Sequence, residues 1–310
     1  LYPFDISEKH AGTVPQMKNV GGAARRGTYV KQVRAQSNWP VLLLDSGDTT
    51  YYTSALGKAF HGLVDVDVMN TLEYMAMCPG NHDFQWDSVH TLNNLKASKF
   101  PWVCANLVDE KTGKPFLPPY VIREVGGVRI ALFGLITQLV NSEPYVAREQ
   151  LGLRQINPIE VASKLVPELR KQADIVICLS HLGIYQDPKL AREVPGIDVI
   201  LGGHSHARLA TPTMVPVGTP SATFIGAVPV VQAFCHGSEI GHTDVIFYRD
   251  LATGRYSLMS CKGWLVSMDS TVPDDPTIVK LLERWEAKRR ALQAPAQPAS
   301  SPAPAAAVAR

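Results

Sequence analysis

Ile197-Asp198-Val199-Ile200-Leu201-Gly202-Gly203-His204-Ser205-His206 is the stretch on which the fold turns. A mostly apolar run passes without a break into two glycines and two histidines. Such a run reads as a strand buried on both faces, in a sheet covered by other layers. Glycines let the backbone come close to a ligand, and packing gives no reason for two imidazoles one residue apart. A strand that delivers ligand-type side chains at its carboxyl end marks an open α/β sheet.

Other runs repeat the pattern. Residues 41–44 form an apolar strand that ends in Asp45-Ser46-Gly47-Asp48, and residues 174–179 form another that enters Ser180-His181. Residues 1–4 read as a short strand leading to Asp5. Cys78-Pro79-Gly80-Asn81-His82-Asp83 follows a run, 68–77, whose period is helical. Asn81 offers a neutral amide oxygen to a divalent cation. His82 carries an imidazole whose unperturbed pKa near ~6.5 suits proton transfer at neutral pH. Asp83 can hold that ring in one orientation, as buried carboxylates do in acid–base sites. Singly, a strand-end Asp is usually a turn residue and a lone His a satisfied surface or core group. Together, Asp5, Asp48, Asn81, His181, His204 and His206 gather carboxylate, amide and imidazole donors at strand ends and one loop. That set points to a two-metal site, with cations roughly 3.5–4 Å apart and Asp48 as the shared ligand. His61, His90, His236 and His242 lack such context and read as structural.

Composition bounds the rest. The 310 residues are 45% hydrophobic and 19% charged with a net charge of +2. This describes a globular chain with ample core and no electrostatic bias toward nucleic acid. No apolar run reaches the roughly 18–20 residues of a membrane span. The five cysteines show no CxxC pair, and an odd number leaves at least one free thiol in a monomer. Helices are expected over 23–35, 55–64, 68–77, 92–98, 158–172 and 275–292. The charges Arg25, Arg26, Lys31 and Arg34 read as a solvated face of the first helix. A strand is expected over 102–107 and a hairpin over 120–124 and 128–135. Residues 6–20 read as loop, and short strands over 213–266, including 223–226, read as an antiparallel sheet. The Pro/Ala/Ser-rich residues 293–310 read as a disordered tail or linker, after a single catalytic domain over 1–292.

The motifs Leu43-Leu44-Asp45-Ser46-Gly47-Asp48, Gly80-Asn81-His82-Asp83, Ser180-His181-Leu182-Gly183 and residues 194–206 resemble, in order and spacing, the 5′-nucleotidase branch of the calcineurin-like metallophosphoesterases. Gly21-Gly22-Ala23-Ala24-Arg25 and Val230-Val231-Gln232-Ala233 match the same branch. The resemblance implies a four-layer αββα sandwich of two packed mixed sheets. It implies two divalent ions such as Mn²⁺ or Zn²⁺, one held by Asp48, Asn81, His181 and His204, the other by Asp48, Asp5 and His206. His82 with Asp83 would be the acid or charge-stabilising dyad. The implied substrates are small phosphoesters, nucleoside 5′-monophosphates first. Neighbouring possibilities are 2′,3′-cyclic nucleotides, nucleotide sugars, and the thiosulfohydrolase reaction of relatives that usually differ at Asn81-His82. A periplasmic or extracellular setting goes with the branch.

Two departures bear on these expectations. The branch has Asp-x-His where this chain has Asp5-Ile6-Ser7, so one ligand is missing and His10 or water is the expected substitute. That gap also motivates a rival, a metal-impaired binding protein on the same fold. The branch also implies a base-stacking C-terminal domain, expected here either to have been removed or to be lacking in a single-domain member, and Leu1 is not preceded by methionine, which suggests a removed leader or a fragment.

Overall fold

The computed structural model describes residues 1–6, 16–51, 54–137, 146–217 and 226–293. Ser7, His10, most of 223–226 and all but Gln293 of the proposed tail lie outside them. In chain order the strands are β1 (Phe4–Ile6), β2 (Met17–Val20), β3 (Leu44–Asp45), β4 (Ala76–Met77), β5 (Leu107–Asp109), β6 (Tyr120–Val125), β7 (Val128–Ile136), β8 (Leu153–Gln155), β9 (Ile175–His181), β10 (Val199–Gly202), β11 (Thr213–Pro216), β12 (Ala227–Gln232), β13 (Glu239–Arg249) and β14 (Tyr256–Ser267). The helices are α1 (Ala23–Gln36), α2 (Ala55–Ala59), α3 (Leu63–Thr71), α4 (Ser88–Ala97), α5 (Val146–Leu151), α6 (Pro158–Arg170), α7 (Asp187–Glu193) and α8 (Pro276–Gln293).

Period-2 alternation in the apolar strands builds the layers. In β7, Ala131, Phe133 and Leu135 turn to one side, where they pack with Ala162, Val166 and Leu169 of α6 and Leu190 of α7. Ile130 and Leu132 turn to the other side, with Ile175 and Leu179 of β9, and meet Ala76, Cys78 and Val103. These β7 and β9 strands belong to a six-stranded mixed sheet in the order β11-β12-β10-β9-β7-β6. The facing layer holds the parallel pair β3–β4, extended by a bridge from Met77 to Trp102. Its outer side is covered by α1, α3 and α8 through Ala23, Val64, Met69, Ile278 and Leu281. Helix, sheet, sheet, helix is the expected αββα order.

Several boundaries differ from the sequence reading. The 68–77 run is not one helix. α3 ends at Thr71, Glu73 takes a left-handed φ of 56°, and the Tyr74 N–H reaches back to the Met69 carbonyl at 3.1 Å. This is a left-handed helix terminus, and the chain then enters β4 beside β3. Asn81 therefore also follows a strand end. Residues 17–20 of the supposed loop form β2, antiparallel to β1. β12 is not part of an antiparallel sheet alone; it pairs in parallel with β10 and only β11 runs against it. Arg25 is not solvated: it is buried and donates to the Asn19 carbonyl at 2.5 Å and the Met268 carbonyl at 3.1 Å.

Gly134 of β7 lies tight against the segment after β4, where an added Cβ would drive into the Val103 carbonyl. Gly134→Ala is expected to destabilise the fold by ~1–3 kcal/mol or more, because backbone rather than a movable side chain blocks the methyl. Urea denaturation of the variant against the parent checks this.

Candidate metal centre

The loops that follow β3 and β4 are gathered by one carboxylate. Asp83, fully buried in the 3₁₀ turn His82–Phe84, accepts from the backbone N–H groups of Asp48 (2.9 Å), Thr49 (3.1 Å), Thr50 (2.7 Å) and Gly80 (2.8 Å). It also accepts from the Thr50 hydroxyl at 2.7 Å. Burial, reinforced by the Asp48 carboxylate, pushes Asp83 above the usual carboxylate range, and the donors from Thr50 and Gly80 oppose that shift. The reading of Asp83 as the clamp on the His82 ring is corrected by this geometry. Both carboxylate oxygens are taken up by loop donors, and Nδ1 of His82 is buried with no hydrogen-bond partner among the described residues.

Four of the six expected ligands converge. Asp48 Oδ2 lies 3.1 Å from His181 Nε2, and Asn81 Oδ1 lies 3.2 Å from the same nitrogen. Asn81 Oδ1 is also 3.0 Å from His204 Nδ1. Ligand atoms of Asp48, His181 and His204 all fall within 4.8 Å of one another. His181 Nδ1 donates to the Ser46 carbonyl at 2.5 Å, which turns Nε2 toward the two oxygens. In a neutral ring that nitrogen carries a lone pair, so three lone-pair donors face one point. They repel unless positive charge lies among them, which a proton on Nε2 or a divalent cation supplies; carboxylate, amide oxygen and imidazole together are a donor set that fits a metal ion.

Electrostatics agree with that polarity. Burial alone would raise Asp48, yet the His181 and His82 rings hold it at about 2. Burial would lower His181, but Asp48 outweighs it and the ring is raised. Burial and the neighbouring His181 hold His204 down at about 4, so its imidazole is neutral at pH 7. Close approach depends on Gly80, where a Cβ would collide with Asp48 Oδ1 and the His181 ring. Asp48 and His204 both take left-handed φ values, 62° and 68°. Non-glycine residues adopt that region at a cost and cluster at functional sites.

His82 flanks this centre. Its backbone N–H donates to Asp48 Oδ1 at 2.8 Å, and Tyr51 lies against its ring with centroids 4.3 Å apart.

The remaining two expected ligands sit elsewhere in the contacts that are described. The exposed Asp5 carboxylate accepts from the Asn19 N–H at 2.7 Å. His206 presents a ligand atom within 4.8 Å of ligand atoms of Cys235 and His236. Sequence reasoning passed over both of these neighbours. His236 lies three residues past the run Val230-Val231-Gln232-Ala233, which carries no imidazole or thiol, and Cys235 is one of five scattered cysteines. The only available signal was their adjacency, Cys235-His236, just past an apolar strand. Behind His181, Asp187 of α7 is buried and accepts from the Ser180 hydroxyl at 2.5 Å; burial raises it to about 7.

Comparison with known proteins gives the family. The sequence profile described as Calcineurin-like phosphoesterase matches residues 9–208. The chain is 31% identical over 301 residues to the human 5′-nucleotidase, covering 91% of this chain and 50% of that one. It is 32% identical over 271 residues to the 2′,3′-cyclic-nucleotide 2′-phosphodiesterase/3′-nucleotidase of Salmonella typhimurium, covering 78% and 41%. The crystal structure of a 5′-nucleotidase precursor from Thermus thermophilus superposes with a TM-score of 0.77 at 31% identity, covering 94% of this chain and 57% of that one. The chain thus spans about half the length of the relatives it matches.

Two outcomes follow from the buried carboxylates. Asp83→Asn places an amide N–H₂ against backbone donors and is expected to destabilise by ~2–4 kcal/mol, read by urea denaturation. Asp187 is raised on folding from 3.8 to about 7. Its stabilising share is therefore complete below about pH 4 and is lost as pH rises toward 7, at most about 4 kcal/mol. Asp187→Asn should flatten that decline when unfolding is measured at pH 4.5 and pH 7.5.

Proposed function

The chain belongs to the calcineurin-like phosphoesterases, and on that premise we propose that it hydrolyses phosphate monoesters with the help of two divalent cations. Nucleoside 5′-monophosphates are the favoured substrates, on the strength of the human and Thermus thermophilus relatives. The observation that carries the reading is the convergence of Asp48, Asn81, His181 and His204 on one point.

In this reading those four residues would hold one cation, and Asp48 with Asp5 and His206 would hold the second. Bound divalent cations polarise phosphoryl oxygens and lower the pKa of water, which is the chemistry an in-line displacement at phosphorus needs. The chain's own residues do the rest. Ser46 orients His181 through its carbonyl. Asp83 fixes the backbone that carries Asp48 and Gly80. His82, held beside Asp48 and against Tyr51, stabilises charge on the phosphoryl group or protonates the leaving alkoxide.

A second reading keeps the centre and changes the ester. The Salmonella relative is named for cyclic-nucleotide and 3′-nucleotide substrates, so a 2′,3′-cyclic phosphodiester or a 3′-monophosphate is the alternative.

Phosphate release from AMP, 3′-AMP and 2′,3′-cyclic AMP, assayed with Mn²⁺, Zn²⁺ or Co²⁺, tests both. AMP should turn over fastest, chelation should abolish turnover, and added metal should restore it. His82→Ala should lower kcat on the order of 10²- to 10⁴-fold while bound metal stays constant. A folded sample that cleaves none of these esters with any of the metals would sink the proposal.

A further inference from the structure

The segment after His204 is zipped to the end of β12. The Leu209 N–H donates to the Gln232 carbonyl at 3.3 Å, and the Phe234 N–H to the Ala207 carbonyl at 3.1 Å. Arg208 and Ala233 form an antiparallel bridge, and the Arg208 guanidinium grips Glu239 through two contacts of 2.8 and 2.7 Å. Carrying that register two residues further sets His206 opposite Cys235, on the same face. Ser205 anchors the near side of the loop by donating to Gln232 Oε1 at 2.8 Å and accepting from the Ile184 N–H at 3.0 Å. His236 then turns back on His206, with ring centroids 5.1 Å apart in an edge arrangement.

We propose that His206, Cys235 and His236 form a cation site of their own, one thiolate and two imidazoles, suited to a thiophilic divalent ion such as Zn²⁺. Their ligand atoms already lie within 4.8 Å of one another. A thiolate with imidazoles suits Zn²⁺ far better than Mg²⁺ or Mn²⁺, whose preferred donors are oxygens. Cys235 is buried while both histidines are exposed, so three protein donors leave a fourth coordination position toward solvent. Binding exchanges the Cys235 thiol proton, released to solvent, for a sulfur–metal bond. His206, Phe234 and His236 hold left-handed φ values of 53°, 56° and 55°. Three non-glycine residues in that region around one cluster are a concentration of strain that ordinary packing does not require. His204 and His206 are two residues apart, so their Cα atoms are within about 7 Å and the two candidate centres are neighbours.

This rests on the two-cation reading and reassigns His206 within it: the imidazole given there to the second cation beside Asp48 and Asp5 joins Cys235 and His236 instead, so the donors change from mostly oxygen to sulfur and nitrogen. The test is a Co²⁺ titration of the full chain followed by absorption. A thiolate-to-Co²⁺ charge-transfer band in the near ultraviolet should rise and saturate by about two equivalents, as both candidate centres fill. It should vanish in Cys235→Ser, persist in Cys261→Ser, and persist in His181→Ala, which disables the other centre. His236→Ala should weaken the Co²⁺ affinity read at this band by at least about tenfold. That variant keeps the thiol and so stands in if Cys235→Ser does not fold. A folded parent that shows no such band, or a band that survives in Cys235→Ser or is unmoved in His236→Ala, overturns the site. Phosphate release without the band would overturn this inference and leave the phosphoesterase reading intact; the band without phosphate release would do the reverse.

Discussion

The acceptance of five hydrogen bonds by the Asp83 carboxylate is the constraint around which the centre is built. A carboxylate with no access to water is unfavourable by itself, and burial pushes its pKa up accordingly. What offsets this is a set of backbone donors that the turn after β3 and the turn after β4 would otherwise leave unsatisfied. The exchange is mutual: the carboxylate needs donors and the loops need an acceptor. Its by-product is position. Asp48 and Gly80 are fixed relative to each other, and Gly80 has no side chain to keep Asp48 from His181.

Ser46 carries the same order across to the second sheet. Its hydroxyl donates to the Leu201 carbonyl at the end of β10, and its carbonyl accepts from His181 at the end of β9. One residue in the first layer thereby touches two strand ends in the other. The ligands come from strands that share no hydrogen bonds across the layers, yet they meet because the layers are cross-linked at this end. The large apolar interface between the sheets supplies the stability. These few polar contacts supply the register.

What could be read from sequence follows the same division. Strands buried on both faces, such as β9 and β10, announce themselves by composition, and the ligands at their ends were legible because apolar character stops abruptly there. The helix terminus at Glu73 was not legible. Val68, Met69, Leu72 and Met75 keep a helical spacing straight through the break, and nothing marks Glu73 for a left-handed φ. The role of Asp83 was misjudged for a related reason. Adjacency to His82 in sequence suggested contact with the ring, but a 3₁₀ turn points neighbouring side chains in different directions. The Arg25 side chain was assigned to solvent by its charge, although two backbone carbonyls satisfy it in the interior.

The loop from Gly203 to His206 shows why a local motif can hide more than it reveals. Two histidines one residue apart look like a matched pair serving one ion. In the folded chain they are divided. His204 faces Asn81 and His181, while His206 faces Cys235 and His236. Left-handed φ values at both histidines turn the chain sharply on either side of Ser205, and the hydrogen bond from Ser205 to Gln232 holds the turn in place. The division depends on β12 lying parallel to β10, because only then does the Cys235-His236 pair emerge beside the end of the strand that carries the two histidines. A parallel neighbour joined through a long excursion leaves no trace in local periodicity. The partners of His206 therefore had to come from topology, whereas the partners of His204 could be anticipated from strand ends alone.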